Sequence, residues 1–227
     1  MFQSDPIDKI NIKIHEAIKN DDAIELKQLL LRASSENITG NHDNYNYLLL
    51  IASIHGSFDS IKCLLLSSDL SKHADINTRN DQVFNNSCGI GRLDIVKFIL
   101  ETKDLNRIIN KRTTIKNGLL EASTHNQLEI FKYFAHEYQI GLNIKLTTHY
   151  EKCLITAYER ENYPRIEDEI MSYIVFNLSI PKSKKISDYI EKNNAVELND
   201  LFEKREFNES LHSELKPNQL NKKKVKV

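Results

Sequence analysis

The sequence predicts an all-α fold, a helical-repeat solenoid of about five to six helix pairs. Three observations predict it. First, one segment recurs at a fixed step of 35 residues: DDAIELKQLL (21–30), GSFDSIKCLL (56–65), GRLDIVKFIL (91–100) and NQLEIFKYFA (126–135). Second, a large apolar residue and, three positions on, a small one precede each copy at the same step: Ile14/Ala17, Leu49/Ala52, Phe84/Ser87, Leu119/Ala122 and, a fifth time, Leu154/Ala157. Third, glycine (6) and proline (4) are scarce in the 227 residues, which argues against many short strands joined by tight turns.

Each recurring segment reads as the second helix of a pair. Its apolar residues fall at i, i+3, i+6 and i+7: Ala23/Leu26/Leu29/Leu30, Phe58/Ile61/Leu64/Leu65, Leu93/Val96/Ile99/Leu100 and Leu128/Phe131/Phe134/Ala135. That spacing lines one face of a helix. The residues with the large–small pair form the first helix. Between the two stand Asp21, Gly56, Gly91 and Asn126, the residue types that tolerate the left-handed conformation after a helix end. The unit is therefore helix, tight turn, helix and a longer loop, and it buries both apolar faces only by stacking on its neighbours.

The boundaries follow: repeats at about 10–44, 45–79, 80–114, 115–149 and 150–183. The fifth is irregular, with RENYPR after Ala157 and a helix expected over RIEDEIMSYIVF (165–176), whose first turn suits Pro164. IEKNNAVELNDLF (190–202) echoes IKNDDAIELKQLL (18–30), so a degenerate sixth pair is expected over 184–206, capping the stack with the polar EKREFNE. Residues 207–227, lysine-rich and poor in apolar side chains, read as a flexible basic tail.

These residues resemble the ankyrin-repeat family. HADINTRND (73–81) is similar to its Gly-Ala-Asp-x-Asn loop, and GRLDIVKFIL to its Gly-His-x-x-Ile-Val-x-x-Leu-Leu helix. The resemblance covers roughly residues 10–160 and departs from the family in its 35-residue step, against about 33. The Thr-Pro-Leu-His opening survives only as His15, with Leu50, Asn85, Leu120 and Ile155 elsewhere. The inter-repeat loops are thus altered, and β-hairpin fingers are not assured. A tetratricopeptide-like stack is the alternative; its period is close, but its Trp/Gly/Tyr/Pro signature is absent. By the resemblance, His15 hydrogen-bonds backbone in a repeat loop, and partners dock on the concave face formed by the first helices and on the loop tips.

Composition narrows the function classes. The chain is 40% apolar and 28% charged with a net charge of −1, so no global field draws it to nucleic acid or an anionic membrane. The longest apolar run, YLLLIASI (47–54), is too short to span a bilayer. MFQSDPIDKI lacks the basic and apolar regions of a secretory signal. Cys63, Cys88 and Cys153 are scattered and odd in number, which reads as reduced, buried thiols in a cytoplasmic protein.

No residue pattern points to a cofactor, a metal or catalysis. The eight histidines form no HExxH and no ligand spacing with cysteine. GIGR (89–92) lies within a repeat turn, and Glu167/Asp168/Glu169 have no partner cleft. The recurrent Lys27, Lys62, Lys97 and Lys132 read as a solvated helix face. His55 and His125, two periods apart, read as helix C-terminal caps or face contacts.

Helical spacing places the concave-face candidates one residue before, two after and six after each large apolar residue. In the central repeats these are Leu48, Ile51 and His55; Val83, Asn86 and Ile90; Gly118, Glu121 and His125. Lys13, Glu16 and Asn20 precede them, and Cys153, Thr156 and Arg160 follow. Leu48, Ile51, Val83 and Ile90 are expected to form an exposed apolar patch of the kind that marks a protein interface.

The expected function is a protein-binding module, monomeric and not an enzyme, acting as scaffold, adaptor or inhibitor. Richness in Asn, Lys and Ile fits an AT-rich genome, and a small ankyrin-like chain of this kind resembles an effector that an intracellular bacterium or a virus sends into host cytoplasm. Two alternatives stand beside it. One is a small enzyme with its site in residues 150–206. The other is nucleic-acid binding through Lys222–Lys226, which predicts steep salt dependence.

Overall fold

The computed structural model describes residues 6–38, 44–105, 111–137, 146–159 and 169–215. All regular structure among them is helical. The chain divides into two compact units, Met1–Ile144 and Lys145–Val227.

Four helix pairs make the first unit. They are α1 (Pro6–Lys19) with α2 (Ala23–Ser35), α3 (Tyr45–His55) with α4 (Phe58–Leu66), α5 (Thr78–Gly89) with α6 (Leu93–Glu101), and α7 (Lys111–His125) with α8 (Leu128–Lys132). The second helices begin at the 35-residue register of the sequence repeat. α8 continues as a π-helical turn, Tyr133–Glu137. α5 opens on Arg79, Asn80 and Asp81, all with positive φ (48°, 55° and 63°), before its right-handed turns.

The turns within the pairs are built alike. Asp21, Gly56, Gly91 and Asn126 have φ of 54°, 69°, 80° and 56°. The next amide reaches back five residues in every case: Asp22 to Ala17, Ser57 to Ala52, Arg92 to Ser87 and Gln127 to Ala122, at 2.9–3.0 Å. This bond satisfies a carbonyl that the helix end leaves open. The acceptors are the small residues of the repeat.

Burial follows the first-helix stripe throughout and the second-helix stripe in part, since Ala23, Phe58, Leu93 and Leu128 at its first position, with Leu29 and Leu100, are half-buried. Ile14/Ala17, Leu49/Ala52, Phe84/Ser87 and Leu119/Ala122 are buried, as are Leu26, Leu30, Ile61, Leu64, Val96, Ile99, Phe131 and Phe134. Each large side chain among them contributes about 1.5–3 kcal/mol of apolar transfer free energy. First helices pack in succession, α1 on α3, α3 on α5 and α5 on α7, while α2 packs on α4.

Neighbouring turns are also tied together. The Asp21 carboxylate accepts the amides of Ser60 (2.9 Å) and Asp59 (3.2 Å) at the start of α4. Ser57 Oγ donates to the Ile18 carbonyl at 2.6 Å, and Arg92 Nη1 donates to the Gly56 carbonyl. In the described loop after α4, the Ala74 amide bonds the Leu64 carbonyl (2.9 Å). The Asp75 amide there bonds Asn46 Oδ1 (2.6 Å).

The second unit holds α9 (Thr147–Tyr158), α10 (Glu169–Ser172) running into a π-helical turn (Tyr173–Asn177), α11 (Lys184–Asn193) and α12 (Val196–Leu215). Leu154 and Ala157 are buried here too. Asn194 (φ 48°) makes the same turn between α11 and α12, with the Ala195 amide on the Ile190 carbonyl at 3.0 Å. Tyr158 and Tyr189 meet edge to face and donate to Glu197 and Glu159, both at 3.0 Å. α12 runs to Leu215, past residue 206, so the start of the expected flexible tail is helical. Pro164, Glu167, Asp168, Arg160 and Lys222–Lys226 lie outside the described residues.

Candidate functional site

The candidate face is the solvent side of the first helices in the first unit. Spacing alone predicts Leu48 and Val83 on it, and both are buried. Gly118 and Cys153, at the same repeat position, are buried as well. The reason is geometric. Successive residues turn by about 100°, so the residue before Leu49 or Phe84 points sideways from the core stripe. At Gly118 that flank faces the Phe134 ring of the same helix pair, and Leu48 and Val83 are buried on it. A charge at Val83 is therefore a folding defect rather than a probe of binding.

The face that reaches solvent is rotated away from that flank. Its apolar members are Ile12 (54% exposed), Tyr47 (37%), Ile54 (59%) and Ile90 (40%), with Ile51 half-buried beside them. His55 and His125 are exposed and Glu121 is half-buried. Asn86 is half-buried, but its amide is engaged, donating to Ser53 Oγ at 2.8 Å and holding α5 to α3. Ile12, Tyr47 and Ile54 lie two before or five after the large apolar residue; that offset, read on a helical wheel, is the signal that finds them.

Two hollows run along this face. One, of about 440 Å³, lies between α1 and α3 and is lined by Ile12, His15, Glu16, Lys19, Tyr47, Ile51 and His55. The other, of about 120 Å³, is lined by Ile54, Asn85, Asn86, Gly89, Ile90, Glu121 and His125. His15 is not in a loop. It sits within α1 with its ring edge-on to Tyr47 at 6.0 Å, and its buried Nε2 has no hydrogen-bond partner. His125 Nδ1 lies 3.0 Å from the Glu121 carbonyl in the last turn of α7, a capping contact.

The four recurrent lysines of the second helices have partners within the chain. Lys27 pairs with Asp69 at 2.7 Å, Lys62 with Asp59 at 2.5 Å and Lys132 with Glu129 at 2.9 Å. Lys97 lies over the Tyr133 ring at 5.0 Å. The hydrogen bond and charge of Asp69 raise the Lys27 pKa, and Lys27 lowers that of Asp69 in the same way. All three cysteines are buried and outside any disulfide, and burial pushes the Cys63 thiol up. Among the described residues no group of His, Cys, Asp and Glu is placed to hold a metal ion. No helix there is long and apolar enough to cross a membrane.

Arg92 grips Asp94 with Nε–Oδ1 at 3.0 Å and Nη2–Oδ2 at 2.7 Å. That hydrogen bonding holds the Asp94 carboxyl below its ordinary range. A depressed carboxyl contributes stability above the unfolded pKa and loses it as pH falls through the lower folded value. Asp94→Asn is expected to cost below about 1 kcal/mol at neutral pH, because the pair is partly exposed. The difference from the wild type should shrink as pH falls below the ordinary aspartate range, through the lowered folded pKa. Thermal melts of both proteins between neutral and acid pH check this.

Comparison with known proteins returned no match: no family model, curated protein or solved structure matches the chain.

Proposed function

We propose that this chain is a protein-interaction module whose helix pairs stack as an ankyrin-like repeat solenoid. The partner protein docks on the solvent face of α1, α3, α5 and α7. One observation carries the reading: Ile12, Tyr47, Ile54 and Ile90 form an exposed apolar row on the first helices. The opposite helices expose Ile24, Leu31 and Leu66 as well, but there Lys27, Lys62 and Lys132 are each paired with a carboxylate. Side chains that solvate a surface are the latter kind. An apolar row with polar edges is the composition of an interface core and rim. The five repeats, with a common core pair and differing face residues, suit a scaffold that varies its contacts without changing its stack.

The test is site-specific crosslinking. A photoreactive phenylalanine analogue at Tyr47 or Ile54 should form adducts with a discrete partner protein in cell extract, while one at Lys62 or Lys97 should not. Ile54→Asp with Ile90→Asp should remove those adducts and shift stability by less than about 1 kcal/mol, as both are surface sites. Adducts that form only from the second-helix positions, or survive the double substitution, overturn the proposal.

A further inference from the structure

We propose that the hollow between α1 and α3 is a subsite for a peptide segment that carries an apolar side chain and, about three residues away, a carboxylate. The proposal rests on the protein-interaction reading and gives the partner its chemistry at this point.

The repeat register sets the layout of the hollow. Ile12 and Tyr47 are equivalent residues at one end, and Glu16 and Ile51 are equivalent residues at its middle. Lys19 and His55 are the last residues of α1 and α3, at the turn end. One end is therefore walled by an isoleucine and an aromatic ring, and the other carries an ammonium and an imidazole. Seven residues separate Ile12 from Lys19, which is about 10 Å along a helix or about three residues of extended peptide.

The cations here lack partners, unlike the four recurrent lysines of the second helices. Among the described residues, neither Lys19 nor His55 takes part in a side-chain hydrogen bond or ion pair. His15 Nε2 is buried in the wall without a hydrogen-bond partner. Glu16 is the one carboxylate of the lining, against Lys19 and two imidazoles. A peptide carboxylate at the turn end meets Lys19 and His55, and the apolar side chain then lies between Ile12, Tyr47 and Ile51. The volume of about 440 Å³ accommodates one large side chain and adjoining backbone.

A random peptide display library selected on the full chain tests this, followed by fluorescence anisotropy with the enriched peptides. Enriched peptides should share an apolar residue and an Asp or Glu about three positions away. Lys19→Glu should weaken them by about tenfold or more, and reselection on Lys19→Glu should replace the acid by Lys or Arg. Ile12→Asp should remove binding with an unchanged circular dichroism melt. Enriched peptides without an acidic residue, or insensitive to both substitutions, overturn the proposal. If such peptides are lost with Ile90→Asp instead, this subsite fails while the interaction module stands. Failure to enrich any peptide also overturns the subsite, and the crosslinking result then judges the module separately.

Discussion

Phe134→Ala is expected to cost about 3–5 kcal/mol, because it removes a fully buried ring from a packed site. Phe134 has no exposed surface and meets Phe84 edge-on at 5.9 Å and Tyr133 at 5.3 Å. Its ring also fills the space over Gly118, where an added Cβ would stand 2.4–2.8 Å from three ring atoms. Gly118→Val alone should therefore cost about 1–3 kcal/mol by overpacking. The double substitution separates these effects. The valine methyls enter the volume the ring vacates, so the double variant should be more stable than the sum of the singles by about 1 kcal/mol or more. Denaturant titration of the four proteins measures this, and strict additivity would mean that the ring and the glycine are not in contact.

Gly118 also shows where sequence reasoning stops. The large–small pairs are legible because five copies repeat one spacing, and all five are buried. The turns are legible because asparagine, aspartate and glycine at a fixed register answer a single backbone demand, a positive φ. The binding face is less so. A helical wheel fixes the core direction from Leu49 and Ala52, but it does not say whether one flank or both meet a neighbour. Here Leu48, Val83, Gly118 and Cys153 occupy the flank and are buried, while Ile12, Tyr47 and Ile54 carry the exposed surface. Asn86 stands on the face, yet its bond to Ser53 involves a residue 33 positions away and no local pattern announces it. His15 is the plainest divergence. Likeness to a loop histidine suggests a backbone hydrogen bond, but in α1 its Nε2 faces no acceptor or donor.

Gly91→Val should destabilise the first unit by about 2–4 kcal/mol, combining a forced left-handed conformation with the loss of a local side-chain hydrogen bond in the next repeat's turn. Gly91 has φ +80°, where a β-branched residue is strained whatever the space around it. The space is also taken, since an added Cβ would stand 2.2 Å from Gln127 Oε1 and 2.9 Å from its Cδ. Gln127 is flexible enough to move, but moving it gives up the bond from Nε2 to the His125 carbonyl at 3.1 Å. Asn126, at the equivalent turn with φ 56°, provides the control. Its buried Oδ1 has no partner, so Asn126→Gly removes an unsatisfied atom and relieves the left-handed penalty. Asn126→Gly should therefore be neutral or stabilising within about 1 kcal/mol. Opposite signs at two positions one repeat apart are what a shared turn geometry demands. An unchanged denaturation midpoint for Gly91→Val would show that the backbone there is not held left-handed, and would remove the argument that the repeat turns share one construction.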